Sequence, residues 1–203
     1  MLTLDHLAVA AATLSEGRRA VEDALGVRLQ TGGQHAHFGT HNLLLGLEDG
    51  LYLEVIAIDP RAVPPQYPRW FNLDRFDGAP RLGNWICRTD DLPAAQAALP
   101  GLGQTVSLER GDLKWRMAVP DDGLLPFDNC HPAVMQWDSA LHPAGVLNAT
   151  GVSLRHLVVT HPEAAELQAR LSEHLNDPRI LFEPGTAGLR AEFDTPNGRR
   201  LLS

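Results

Sequence analysis

The sequence is poor in cysteine and has no long apolar run. Cys87 and Cys130 are the only two cysteines among 203 residues and form no CxxC motif, so neither a disulfide framework nor a zinc knuckle is supported. The longest apolar runs, 51–58 and 152–159, are interrupted by polar side chains and fall far short of the ~20 residues that a bilayer span requires. The sequence therefore predicts no transmembrane helix.

A basic surplus and a targeting segment are also missing. The 25 acidic residues outnumber the 17 basic ones and give a net charge of −8, which would repel a phosphate backbone. Asp5 and His6 interrupt the N-terminus where the apolar core of a signal peptide would be continuous. We therefore expect a cytoplasmic protein with no nucleic-acid partner and no membrane partner.

Glycine-rich phosphate-binding motifs and nucleophile-elbow motifs do not occur either. No GxGxxG, GxxxxGKS, GxxxxGKT or GxSxG pattern is present, so nothing indicates a dinucleotide, a nucleoside triphosphate or a hydrolase of that type. What is present is the composition of an ordinary globular protein, with 44% hydrophobic, 21% charged and 6% aromatic residues. The chain is long enough to bury a substantial core, and we expect residues 1–203 to form a single domain.

The first 59 residues predict the element order β-α-β-β-β. Apolar residues at helical spacing from Ser15 to a glycine stop at Gly26 predict a helix. A turn signal at 48–50 separates strand-like segments at 43–45 and 51–58. Side chains alternate along the first strand, which places Leu2, Leu4, His6 and Ala8 on one face and Thr3, Asp5, Leu7 and Val9 on the other.

Two further units follow a proline-rich linker at 60–83. The second unit, 82–138, repeats the order of a strand, a short helix and three strands. The third unit, 152–203, begins with Leu154–Val159, which repeats Leu4–Val9 at an offset of 150 residues with Leu, His, Leu and Val in register. A predicted helix at 162–175 and two predicted strands complete a shorter βαββ unit, in which His156 is the counterpart of His6.

Several short motifs occupy defined places in the first two units. They are Asp5-His6-Leu7, Gly32-Gly33 with His35, Gly39-Thr40-His41-Asn42, Tyr52-Leu53-Glu54-Val55-Ile56 and Gln136-Trp137-Asp138. Together they resemble the vicinal oxygen chelate superfamily, most closely its glyoxalase-like domain proteins. The resemblance implies an α+β fold in which βαβββ units pair into a glyoxalase/bleomycin-resistance-like barrel cleft. It also implies a divalent metal ion there, held by the first and last strands of the units.

The resemblance implies that His6 and Glu54 are metal ligands of the first unit. In the second unit the ligand positions fall on or near Trp85, which cannot bind a metal, and Gln136, whose amide is a weak ligand. A third ligand would be Gln136 or His156, and His156 with His6 and Glu54 would form a set of two histidines and one carboxylate. Imidazole and carboxylate ligands suit Fe, Mn, Ni, Co or Zn.

His6 and Glu54 also stand out without the resemblance, because each is a polar side chain on an otherwise apolar strand face. A buried carboxylate requires a cation, a metal or strong hydrogen-bond donors. Three interpretations stay open: a metal-free hydrogen-bonded pair, a metal site and two separately solvated side chains.

The remaining candidates are histidines and aromatic residues. His35 or His41 could point into the cleft as a proton donor, a base or a substrate contact, or both could be solvated in a hairpin. Trp85 could line a ligand pocket or pack in the core. Adjacent residues of an extended chain point to opposite sides, which favours a structural role for Cys130 beside His131.

Two functions follow as expectations. The first is a metal-dependent lyase, isomerase or dioxygenase that acts on a small oxygenated metabolite. The alternative is a metal-free binding protein of the drug-sequestering type, and a catalytically silent interaction domain is a third hypothesis. In the first two cases the partner is a small molecule, and the assembly expected for such a chain is a homodimer.

Overall fold

A computed structural model describes all residues, 1–203, as two βαβββ units and a third unit. The first unit contains β1 (Thr3–Ala10), α1 (Leu14–Leu25), β2 (Gln30–His35), β3 (Thr40–Gly46) and β4 (Tyr52–Ile58). The second contains β5 (Arg81–Arg88), α2 (Leu92–Ala98), β6 (Gln104–Arg110), β7 (Leu113–Val119) and β8 (Ala133–Trp137). The third contains β9 (Ser153–Thr160), α3 (Ala164–Leu171), β10 (Ile180–Glu183), β11 (Gly188–Thr195) and β12 (Gly198–Leu202). The predicted α+β fold is confirmed.

The first two units share one curled sheet of 8 strands, in the order β2-β3-β4-β1-β5-β8-β7-β6. Within each unit the first strand pairs in parallel with the last, β1 with β4 and β5 with β8. The antiparallel pair of β1 and β5 joins the two units. The first strand of each unit therefore lies at the centre of the sheet, where its inward side chains face the interior of the curl.

Local signals explain why α1 forms where the sequence predicts it. The Thr13 hydroxyl accepts a hydrogen bond from the backbone N–H of Glu16 and caps the N-terminus. Gly26 adopts a left-handed conformation, with φ 71°, and ends the helix. Gly17 lies where α1 packs on β4, because a Cβ there would come within 2.3 Å of the Val55 side chain. The helix thus covers the outer side of the strand that carries Glu54.

The third unit forms a separate sheet of 4 strands, in the order β10-β9-β11-β12. It has three strands after its helix, so the expected βαββ unit was one strand too short. Its first strand also pairs in parallel with β10, the strand immediately after the helix, rather than with the last strand. The linker at 60–83 includes a 3-10 turn at Trp70–Arg75, and β5 already begins at Arg81 within it.

A β-bulge occupies the same position in β1 and in β9. The register of β1 against β5 shifts between Leu4 and His6, and β9 skips Arg155 in its pairing with β11. Asp5 and Arg155 are therefore the extra residues of the two bulges. The bulge lets the side chains of Asp5 and His6 meet, although simple alternation places them on opposite faces.

The buried side chains of both sheets form one hydrophobic core cluster of 49 residues. Leu4 and Leu53 of the large sheet and Leu157 and Phe193 of the small sheet all belong to it. None of the three helices is long and apolar enough to cross a membrane.

Candidate functional site

A narrow pocket opens on the inner face of the large sheet. Its volume is about 30 Å³, which holds one or two water molecules. Polar groups and large apolar side chains share its wall. The lining residues are His6, His35, Asn42, Tyr52, Glu54, Trp70, Phe71, Arg110, Trp115, Met117, Met135 and Trp137.

His6 is held at the pocket wall from behind by Asp5. Its Nδ1 donates a hydrogen bond to Asp5 Oδ1 at 2.7 Å, and its ring stacks on Tyr52 with the centroids 4.3 Å apart. Asp5 is completely buried and also accepts hydrogen bonds from Arg88, Trp137 and His142. Burial opposes the charged form of Asp5, but the hydrogen bonds from His142 and His6 outweigh it and hold its pKa well below the usual range.

Glu54 faces the other nitrogen of His6. Glu54 Oε1 lies 3.6 Å from His6 Nε2, and Glu54 Oε2 accepts a hydrogen bond of 2.8 Å from the Asn42 amide. Burial alone would raise the pKa of Glu54, but His6 and Asn42 lower it. Burial also disfavours a charged His6, but Asp5 and Glu54 outweigh this effect and raise the pKa of His6 to about 9. Two buried proton acceptors that face each other require a cation between them, which is either a proton on Nε2 or a metal ion.

His35 and Arg110 form the opposite wall of the pocket. His35 Nδ1 lies 3.0 Å from Thr40 Oγ1, and burial lowers the pKa of His35 to about 4, so its imidazole is neutral. Arg110, at the end of β6, donates hydrogen bonds to Asn42 Oδ1 at 3.1 Å and to His35 Nε2 at 3.4 Å. No carboxylate lies within 4.0 Å of this half-buried guanidinium. The pocket therefore contains one positive charge without a carboxylate partner.

The other candidates from the sequence lie outside the pocket. Gln136 points to the other side of β8, where its amide oxygen accepts a hydrogen bond from the N-terminus of α2 at Leu92. Trp85 is completely buried in the core and donates to the carbonyl of Cys130. His41 lies 3.9 Å from Asp59, and His156 lies in the small sheet beside Glu192. The structure thus brings together His6, Glu54 and His35 and separates them from Trp85, Gln136, His41 and His156.

Sequence reasoning did not identify Asp5, Asn42 and Arg110. Alternation assigned Asp5 to the wrong face because the bulge leaves no mark in the residue pattern. The Gly32-Gly33 pair was the available signal for the other two. A Cβ at Gly33 would lie 2.4 Å from Arg110 Cδ, and one at Gly32 would lie 2.1 Å from Asn42 Oδ1. The glycines therefore make room for these two side chains.

The donor set fits a metal site with two protein ligands. His6 Nε2 and Glu54 Oε1 face each other, and both side chains have the outer hydrogen bonds that orient metal ligands. No group of three or more His, Cys, Asp or Glu side chains is arranged to hold a metal ion. Water or a substrate would have to supply the remaining ligands.

Comparison with known proteins supports the architecture. A family model described as a glyoxalase-like domain matches residues 4–175. A hypothetical protein from Staphylococcus aureus has a similar crystal structure, with a TM-score of 0.63, 15% identity and coverage of 93% of this chain and 88% of that chain. Methylmalonyl-CoA epimerase from Mycobacterium tuberculosis gives a TM-score of 0.44 and 19% identity over 68% of this chain and 88% of that one. No curated protein matches the sequence.

Proposed function

The chain belongs to the glyoxalase-like domain family, and on that premise we propose that it is a metal-dependent enzyme of the lyase or isomerase type. Its substrate is a small oxygenated metabolite that carries a negative charge. The observation that carries the proposal is the opposition of His6 Nε2 and Glu54 Oε1 at 3.6 Å inside a narrow polar pocket.

His6 and Glu54 are the residues that would hold the metal. The hydrogen bond from His6 Nδ1 to the ionised Asp5 keeps the proton on Nδ1, so Nε2 is free to act as a ligand once its own proton leaves. Asn42 keeps the Glu54 carboxylate turned toward His6. A divalent ion bound there would act as a Lewis acid on the oxygen atoms of a substrate.

Arg110 and His35 would act on the substrate itself. The guanidinium of Arg110 has no carboxylate partner, so it can bind an anionic oxygen of the substrate in two-pronged geometry. His35 Nε2 accepts a hydrogen bond from Arg110 at 3.4 Å, and it would accept the proton that the reaction removes once a substrate anion draws the guanidinium away. Proton transfer at these residues favours the lyase and isomerase types over the dioxygenase type.

A metal-free binding protein is the second candidate, and one observation favours it. The second unit directs neither Trp85 nor Gln136 into the pocket, so it supplies none of the expected ligands. The size of the pocket speaks against a drug-sized ligand for either candidate, because such ligands require about 300–1,000 Å³. The pocket at His6 has about 30 Å³.

Metal content tests the proposal. Untagged protein would be analysed by mass spectrometry after incubation with Fe(II), Mn(II), Ni(II), Co(II) or Zn(II) and removal of unbound ions. We expect one of these metals at less than one equivalent, because two protein ligands hold a divalent ion weakly. His6→Ala and Glu54→Gln should each abolish binding.

His156 and Glu192 provide a matched control. They form the same pair of residue types at 3.2 Å on the small sheet, so His156→Asn and Glu192→Gln should leave the metal content unchanged. Wild-type protein that takes up none of the five metals would overturn the metal site and leave the binding-protein candidate. Metal retained in both His6→Ala and Glu54→Gln would also overturn it. The homodimer and the cytoplasmic location stay predictions.

A further inference from the structure

A second and larger cavity lies between the large sheet and the small sheet. Its volume is about 320 Å³, about ten times that of the pocket at His6. This size falls within the range of about 300–1,000 Å³ that is typical of small-molecule sites. Phe71 is the single residue that lines both cavities, so it lies where they adjoin.

The lining of this inter-sheet cavity contains two arginines and one acidic side chain, although the chain as a whole has a net charge of −8. Arg75 and Arg81 line it, and no carboxylate lies within 4.0 Å of either guanidinium. Arg81 is held in place by the Asp77 carbonyl at 2.6 Å and by stacking over the Phe76 ring at 4.3 Å. Asp128 is the acidic side chain in the wall, and it faces His161 at 3.2 Å.

The floor of the cavity is apolar and its rim is strained. Leu82 and Leu189 are buried side chains that line it from β5 and β11. Six non-glycine residues of the chain have positive φ, and four of them line this cavity: Phe71, Asn72, Asp128 and Asn129. Asn and Asp adopt this left-handed conformation more readily than other residues, so Phe71 is the costly position of the four, and such positions concentrate at functional sites.

A buried amide beside the cavity has no hydrogen-bond acceptor. Asn84 is 1% exposed, and its Nδ2 has no partner. Its chain neighbour Gly83 lines the cavity, and so does Asn129, which donates a hydrogen bond to Asn84 Oδ1. Asn84 itself does not line the cavity, but its hydrogen bond with Asn129 holds that side chain at the cavity wall.

We propose that the inter-sheet cavity binds a small amphipathic anion. Its carboxylate, sulfonate or phosphate group lies beside Arg75 and Arg81, and its apolar body lies against Leu82 and Leu189. The site is separate from the metal site proposed above and does not depend on it. The chain would then carry two ligand sites that adjoin at Phe71.

Two fluorescent probes that differ in one charged group test the site. 8-Anilinonaphthalene-1-sulfonate has an aromatic body and a sulfonate, whereas N-phenyl-1-naphthylamine has the same aromatic body and no charge. We expect the wild-type protein to bind the sulfonate at least tenfold more tightly than the neutral probe. Arg75→Gln and the double variant Arg75→Gln/Arg81→Gln should reduce this preference, and the double variant should abolish it.

Three further variants locate the binding. Ala187→Trp places a large ring in the cavity from an exposed position and should abolish binding of both probes. Arg18→Gln/Arg19→Gln removes two charges from α1 and should leave both affinities unchanged, as should Glu54→Gln at the other pocket. The proposal fails if wild-type protein does not bind the sulfonate. It also fails if binding survives both Ala187→Trp and the double arginine variant within twofold.

Discussion

At the scale of single residues, Asp5 is the buried acceptor that lies behind His6. It accepts hydrogen bonds from His6 at 2.7 Å, Trp137 at 3.0 Å, His142 at 3.0 Å and Arg88 at 3.3 Å. All four donors require an acceptor, and an amide would present an N–H to some of them. The orientation of His6 therefore depends on the charge of its sequence neighbour.

Asp5→Asn tests this dependence. We expect a loss of about 3 kcal/mol of unfolding free energy, because the change leaves the buried, charged His6 without its carboxylate partner. Affinity for the metal should fall by about 10–100-fold, as is typical when the hydrogen-bond partner of a ligating histidine is removed. Urea denaturation and metal titration measure the two effects. The exposed pair of Asp138 and Arg116 supplies the control, and Asp138→Asn should cost less than about 1 kcal/mol. Equal effects of the two variants would contradict the role of Asp5.

His131 predicts how stability depends on pH. Its Nδ1 donates to the Pro132 carbonyl at 2.8 Å, and burial lowers the pKa of the folded state from 6.5 to about 4. The unfolded state binds the proton more readily, so the contribution of His131 to stability is complete above pH 6.5 and declines as the pH falls to 4. The loss should reach about 3 kcal/mol. His131→Asn keeps the donor but cannot titrate, so its unfolding free energy should fall less steeply over this range. Identical slopes would rule out the assignment.

At the scale of elements, the contact of α1 with β4 is set by Gly17. Because a Cβ at this position would overlap the Val55 side chain, Gly17→Ala should cost about 1–3 kcal/mol through overpacking. Val55→Ala removes the atoms that the new Cβ would overlap. The double variant should therefore lose less unfolding free energy than the sum of the two single variants. The difference should be at least about 0.5 kcal/mol, the lower bound for residues in contact. A double-mutant cycle measured by urea denaturation checks this. Additive effects would show that Val55 is not the side chain that the new Cβ overlaps.

Element order was largely predictable, but side-chain direction was less so. Hydrophobic periodicity and turn residues predicted the element order of the first two units, although they did not locate β2 at Gln30–His35, and the repeat located β9. The direction of a strand side chain depends on a one-residue register, and a slip of one position reverses it. Gln136 illustrates this, because its neighbours Met135 and Trp137 line the pocket and it does not.

Contacts between distant segments of the chain could not be predicted from the sequence. Arg110 meets His35 across 75 positions of the chain, and only closure of the curled sheet brings them together. The strand β12 was missed because its five residues, Gly198–Leu202, include two arginines and follow directly after a turn. Antiparallel pairing with β11 holds this segment in the extended conformation that its own composition does not predict.

At the scale of the whole molecule, both sheets share one core, and we predict that they unfold together. Phe193 of the small sheet is completely buried in that core. Phe193→Ala should cost about 3–5 kcal/mol. All four tryptophans lie between residues 70 and 137, outside the third unit, so their fluorescence reports mainly on the rest of the chain. In this variant the fluorescence transition and the circular dichroism transition should shift to lower urea concentration by the same amount. Two separated transitions would instead indicate two domains.

The position of Arg110 also affects whether copies of the protein can associate through the edges of their sheets. An exposed strand edge is a template on which further chains can add by backbone hydrogen bonding, and this is a common route to aggregation. The edge strands β2 and β6 of the large sheet face each other, and Arg110 lies over Gly33 where they meet. Each edge therefore screens the other. In the small sheet the edges are β10, which has four residues, and β12, which carries Arg199 and Arg200. Short length and like charge make both edges poor templates for growth of a fibril.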